Sequence, residues 1–204
     1  MLAYNLQDLI LEPFGGTVFG MTPGETTRLT GLQHAGVLAG MLLVAGAVTW
    51  IGRGRCGSLT TWTVGGCLAS AVAFGGLIAA GLSSGSLPLS PFVLFLGVAN
   101  GAFAVAAIGT MMSLAGAGRV AGEGVRMGVW GAAQAFAFGL GGFLSTAAID
   151  LTRALFADPA VAYAIVFAAE AVVFLFAARL AAAVGTGRAA DAPAVLAPAL
   201  AAAR

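Results

Sequence analysis

The sequence predicts an all-α membrane protein, a bundle of six transmembrane helices, and three observations point there. Hydrophobic residues make up 60% of the 204 positions and charged residues 8%, against about 25% charged in an ordinary soluble domain. A globule so poor in charge could not cover its surface with polar groups, whereas hydrocarbon can solvate most of a bundle's exterior. The mean hydropathy of +1.00 agrees. The apolar residues also fall in long blocks of the ~20 residues that a helix needs to cross the hydrocarbon core.

Those blocks bracket the spans at about 1–21, 29–51, 59–82, 91–114, 127–151 and 160–184. Short breaks separate them at Gly52–Gly57, Ser83–Ser90, Ala115–Arg126 and Thr152–Pro159, so successive spans should run antiparallel as neighbours. The opening stretch differs from the rest. It is apolar enough to insert, yet it carries Asn5, Gln7, Asp8 and Glu12 and then Pro13, Gly15 and Gly16, which should weaken the helix just beyond the acids. It lacks the basic region of a cleavable signal peptide. It also begins abruptly, with no flanking anchor before Met1, which suggests the C-terminal half of a longer protein. The Ala- and Pro-rich residues 185–204 should form a disordered tail.

All nine cationic residues are arginine. If the chain enters from the cytoplasm, seven of them (Arg53, Arg55, Arg119, Arg126, Arg179, Arg188, Arg204) fall on the inner side and two (Arg28, Arg153) on the outer. The positive-inside rule then puts the C-terminus in the cytoplasm of a bacterial inner membrane. A net charge of +1 gives no basic field for nucleic acid. Cys56 and Cys67, eleven apart, match neither a Cys-x-x-Cys pair nor a zinc site and read as unpaired thiols.

Several strings imitate chemistry. Gly52-Arg53-Gly54-Arg55-Cys56-Gly57 satisfies G-x-G-x-x-G, but its flanks are apolar spans instead of a βαβ unit, so it reads as a basic turn. Gly116–Ala121 is similar. Gly81-Leu82-Ser83-Ser84-Gly85 fits the hydrolase elbow, for which His34, the single histidine, would have to supply the base. Gly36/Gly40 and Gly97/Gly101 each make a G-x-x-x-G, the spacing that lets helices approach closely. The same faces could otherwise admit a flat ligand.

Asp8 and Glu12 are the sharpest functional signal. Four apart, they share a helix face, which Asn5 joins. A carboxylate at the membrane centre costs about 2.5–3.5 kcal/mol on insertion scales, so the pair should point into the bundle, find a polar partner or hold a proton. His34 is a candidate ligand for a metal, including the magnesium of a chlorin. Glu170 should face other helices, Asn100 and Gln134 should join helices, and Glu25 and Arg28 should pair in an outer loop.

The run Gln7-Asp8-Leu9-Ile10-Leu11-Glu12-Pro13-Phe14-Gly15-Gly16, followed by Val18-Phe19-Gly20-Met21 and Gly24-Glu25-Thr26-Thr27, resembles the signature of the PucC-type bacteriochlorophyll delivery family. That family belongs to the major facilitator superfamily, and the signature lies in the first helix of its C-terminal half. The resemblance implies a six-helix half-transporter in the intracytoplasmic photosynthetic membrane, where it assembles light-harvesting complexes. Bacteriochlorophyll would be cargo, with no tightly bound cofactor. Its partners would be lipid, antenna polypeptides and a missing N-terminal half. By that resemblance Gln7, Asp8 and Glu12 join Asn5 and His34 as pigment or proton site, and Pro13, Gly15 and Gly16 are structural. No bond-making chemistry is expected. The alternatives are a proton-coupled facilitator working through Asp8 or Glu12 and, more remotely, an intramembrane hydrolase using Ser83 and His34.

Overall fold

A computed structural model describes residues 2–50, 58–83, 86–116 and 123–190, and every regular element among them is helical. The opening segment is two short helices, α1 (Leu2–Asp8) and α2 (Leu11–Phe19). Five long ones follow: α3 (Pro23–Trp50), α4 (Leu59–Leu82), α5 (Ser90–Gly116), α6 (Glu123–Leu155) and α7 (Pro159–Ala190). These five are long and apolar enough to cross a membrane. The expected single span over 1–21 is therefore broken in two. The break falls one turn before Pro13 instead of beyond it, because a proline acts backwards. Its ring crowds the carbonyl four residues earlier, here that of Leu9, and it has no N–H to donate there. A tight turn from Ile10 N–H to the Gln7 carbonyl, 3.1 Å, closes the gap.

Gly20 ends α2 at φ 65°, a left-handed conformation that suits glycine, and its N–H reaches back to the Gly15 carbonyl. What the sequence presents as an outer loop then starts α3. The Glu25 carboxylate accepts from both the N–H and the hydroxyl of Thr22, each at 2.8 Å, with Pro23 in the first helical turn. This is a capping arrangement, and it occupies the carboxylate expected to pair with Arg28. At the other end, α7 runs through Ala190, past the boundary expected at 184. The Gly52–Gly57 turn, Cys56, residues 117–122 and residues 191–204 lie outside the described residues. Cys67 is a buried free thiol.

Chain neighbours are not always packing neighbours. The main partner of α3 is α5, while α4 packs on α5 and α7. The α3–α5 seam is made of glycine. A methyl placed on Gly36 would stand 2.6 Å from the Leu94 carbonyl oxygen, and one on Gly40, Gly97 or Gly101 would collide with the backbone of Val98, Gln33 or Val37. The two G-x-x-x-G faces therefore fill each other and leave no groove for a flat ligand. Between α4 and α5, the Ser70 hydroxyl donates to Asn100 Oδ1 at 2.9 Å, both residues fully buried. Asn100 is thus the joint between helices that its sequence position suggested, whereas Gln134 makes no such bond among the described residues.

An aromatic chain carries the packing through the bundle. The Phe14 ring meets Phe167 edge-on at 4.9 Å, Phe74 links Phe167 to Phe174, and Phe103 closes on Phe174 at 6.1 Å. It ties α2, α7, α4 and α5 into one core. Much of α6 is exposed, although its Ile149 joins the core.

The seam yields a paired prediction. Gly101→Leu should cost at least the roughly 1–3 kcal/mol typical of overpacking and lower the melting temperature in detergent. Gly46→Ala has nothing within 4 Å of the new methyl, so it should hold or raise the melting temperature, by up to about 1 kcal/mol of helix propensity. Equal melting temperatures for the two variants would contradict the seam.

Candidate functional site

The break at Leu9–Ile10 removes the continuous helix face on which Asp8 and Glu12 were expected to stack. Both acids nevertheless turn toward α3. Gln33 donates its side-chain amide to Asp8 Oδ1 at 3.2 Å, and the Thr30 hydroxyl donates to Glu12 Oε1 at 2.9 Å. Thr30 and Gln33 are one turn apart, so a single face of α3 receives one acid from each side of the break. Gln33 is buried and Asp8 half-buried, but Glu12 is exposed at the edge of the bundle. Of the outcomes expected for the pair, Asp8 points part-way inward, and each acid has a polar partner, Gln33 for Asp8 and Thr30 for the exposed Glu12.

His34 lies on the same stretch of α3, exposed, with Nδ1 2.9 Å from the Thr30 carbonyl oxygen. A carbonyl oxygen only accepts, so Nδ1 carries the proton in this contact. In a neutral ring this tautomer leaves the lone pair on Nε2, the arrangement found in metal-ligating histidines. Asp8 is within electrostatic reach of His34, Tyr4 and Glu170. Asp8, Glu12, Thr30, Gln33 and His34 thus form one polar patch where the broken segment meets α3.

Asn5 and Gln7 go elsewhere. Asn5 Nδ2 donates to the Phe138 carbonyl of α6 at 2.7 Å, and α1 packs close on Gly141, whose added methyl would meet the Leu2 carbonyl at 3.1 Å. Asn5 therefore fastens α6 to the opening segment. Gln7 is 1% exposed, and its amide finds no hydrogen-bond partner among the described residues. Glu170 on α7, 2% exposed, is likewise without one. It faces other helices, as the cost of an intramembrane carboxylate requires. Pro13 sets the break, Gly15 sits tightly under Met21 and Thr26, and Gly16 has only the Met21 carbonyl nearby. Sequence reasoning missed Thr30 and Gln33, although both lie one or four residues from His34 and could have been found by helical spacing.

The hydrolase constellation does not assemble. The Ser83 hydroxyl donates to the Ala80 carbonyl at 2.8 Å, and His34 bonds within its own helix. The helices carrying them, α4 and α3, are not principal neighbours. Among the described residues no three His, Cys, Asp or Glu side chains gather as a metal site.

The fold and the patch define a multi-pass helical membrane protein whose broken opening segment lays polar groups against α3, the first of its five long helices. The chain belongs to the PUCC protein family, whose sequence profile matches residues 1–189. It is 51% identical over 198 residues, 97% of its length, to the bacteriochlorophyll synthase 44.5 kDa chain of Rhodobacter capsulatus. It is 34% identical over 180 residues to protein PucC of the same species, and 31% identical over 179 residues to a protein of that species' puhA-bchM intergenic region. The chain spans 45%, 37% and 35% of those relatives' lengths. No solved structure matches.

The Asp8–Gln33 contact can be checked directly. Gln33→Leu leaves a half-buried carboxylate without its amide donor and should destabilise by about 1.5 kcal/mol, the low end for a hydrogen bond to a charged group. Asp8→Asn keeps an acceptor for Gln33 and should change the melting temperature less. The reverse order would show that the contact is not made.

Proposed function

We propose that this chain is part of a membrane factor that handles bacteriochlorophyll during assembly of bacterial light-harvesting complexes. The names of its relatives supply the pigment, and the observation that carries the reading is His34. Its Nδ1 proton is committed to the Thr30 carbonyl, so Nε2 stands ready as an axial ligand for the magnesium of a chlorin. Glu12, held by Thr30, and Asp8, held by Gln33, lie beside it and can accept hydrogen bonds from a water or polar group on the pigment. A single weak ligand suits transfer, because cargo must leave as well as bind.

In this reading the chain makes and breaks no covalent bond, and the word synthase in one relative's name belongs to that relative. The arrangement fits the C-terminal six-helix half of a major facilitator protein, with the broken segment counted as one span and the C-terminus cytoplasmic in the photosynthetic membrane. Antenna polypeptides are the proposed partners. An apolar groove of about 780 Å³ along α6, floored by Ala132, Ala135 and Gly139 and flanked by Phe136 and Phe143, suits an apolar helix lying against it. The residual second reading, a proton-coupled facilitator, would use the same Asp8 and Glu12.

Expressed where pigment is made, the protein should copurify with bacteriochlorophyll. His34→Leu should reduce the bound pigment about tenfold without loss of inserted protein. Asp8→Asn with Glu12→Gln should leave insertion intact and abolish antenna assembly, read from the near-infrared absorption of whole membranes. Normal pigment retention in His34→Leu would remove the ligand role, and a colourless preparation with proton-coupled uptake would favour the second reading.

A further inference from the structure

A second polar site lies on the other side of the broken segment, away from His34. A cavity of about 220 Å³ is lined by Leu9, Ile10 and Pro13 at the break, by Ser145, Asp150 and Arg153 of α6, and by Tyr163 of α7, among others. Ser145 and Tyr163 are both 0% exposed, and neither hydroxyl has a hydrogen-bond partner among the described residues. Buried hydroxyls in native proteins are nearly always paired, and here two unpaired ones belong to residues that line one cavity. Thr146, also in the wall, is excluded as a donor because its hydroxyl bonds to its own helix at Gly142 and Phe143.

The charges at this cavity narrow its ligand. Asp150 and Arg153 are exposed, one turn apart on α6, and no ion pair joins them among the described residues. The lining residues therefore carry one anion, one cation and two hydroxyl donors without partners among the described residues. Pro13 has no N–H for the Leu9 carbonyl, so the break adds a backbone acceptor. A purely anionic group would meet Asp150, and a purely cationic one would meet Arg153. A zwitterion carrying a phosphate and an N–H-bearing ammonium satisfies both. Arg153 lies close to the end of α6 at Leu155, where a spanning helix reaches head-group depth, and exposed Leu9, Leu151 and Leu155 continue the surface as apolar. The volume falls below the roughly 300–1,000 Å³ of drug-sized pockets, which suits a head group with its tails outside.

We propose that this cavity binds the head group of an aminophospholipid, with Arg153, Ser145 and Tyr163 on the phosphate and Asp150 with the Leu9 carbonyl on the ammonium. The inference is independent of the pigment site and of His34.

Native mass spectrometry of the full chain, released from nanodiscs of equal phosphatidylethanolamine, phosphatidylcholine and phosphatidylglycerol, tests it. One phosphatidylethanolamine per chain should be retained at least tenfold over either competitor. Arg153→Gln should abolish retention, and Ser145→Ala and Tyr163→Phe should each cut it several-fold without lowering the melting temperature, because their hydroxyls support nothing else in the fold. Asp150→Asn should erase the preference over phosphatidylcholine, whose quaternary ammonium has no N–H. Equal retention of the three lipids, or unchanged retention in Arg153→Gln, overturns the proposal. Displacement of the lipid by micromolar soluble O-phosphoethanolamine also overturns it, by assigning the cavity to a free ligand.

Discussion

The backbone approach between α3 and α5 is the constraint on which the rest of the structure depends. In hydrocarbon no solvent drives apolar helices together, so association relies on close packing and on hydrogen bonds. Gly36, Gly40, Gly97 and Gly101 supply the first, and Ser70 with Asn100 supplies the second one helix over. With α5 fixed between α3 and α4, α7 closes on α4, and Phe14 presses the opening segment onto both. The polar patch inherits this rigidity. Thr30 and Gln33 lie at the start of the glycine seam, since Gly97 packs against the carbonyl of Gln33 itself.

Pro13 does for the site what the glycines do for the bundle. An unbroken helix would carry Asp8 and Glu12 at fixed spacing on one face. The break separates them, so that each meets its own donor on α3, and it opens the backbone at Leu9 on the opposite side. Irregular backbone in a membrane protein is tolerated where it is buried in protein or lines a cavity, and here it lines one. One residue that cannot donate, and whose ring crowds the turn before it, thereby shapes two separate polar environments.

Much of this was legible in the sequence. The span at 59–82 matches α4 residue for residue, because charge-free apolar blocks bounded by Gly and Ser leave little choice. The other long helices overrun their apolar blocks, as α6 does from Glu123 to Leu155, because helical hydrogen bonding continues past the hydrocarbon where polar residues can be solvated. The glycine motifs were visible, but not that they would meet each other, since the pairing of α3 with α5 across α4 is a long-range fact. Asp8 announced itself through cost. Gln33 and Thr30 are uncharged and carry no such signal, and the exposure of Glu12 depends on a break whose position follows from proline's backward reach.

The looseness of α6 follows from the same physics. It is fastened chiefly along one side, where Asn5 bonds the Phe138 carbonyl and the opening segment lies against Gly141 and Gly142, while Gly128, Gly131 and Gly139 meet nothing. Glycine lowers helix propensity by roughly 0.8–1.0 kcal/mol per residue relative to alanine, so three that pack against nothing cost stability with no return inside this chain. They leave small residues along an open apolar side of α6. Its polar end at Asp150 and Arg153, by contrast, belongs to the cavity at the break. One helix thus carries two kinds of surface along its length, an open apolar side and a charged end.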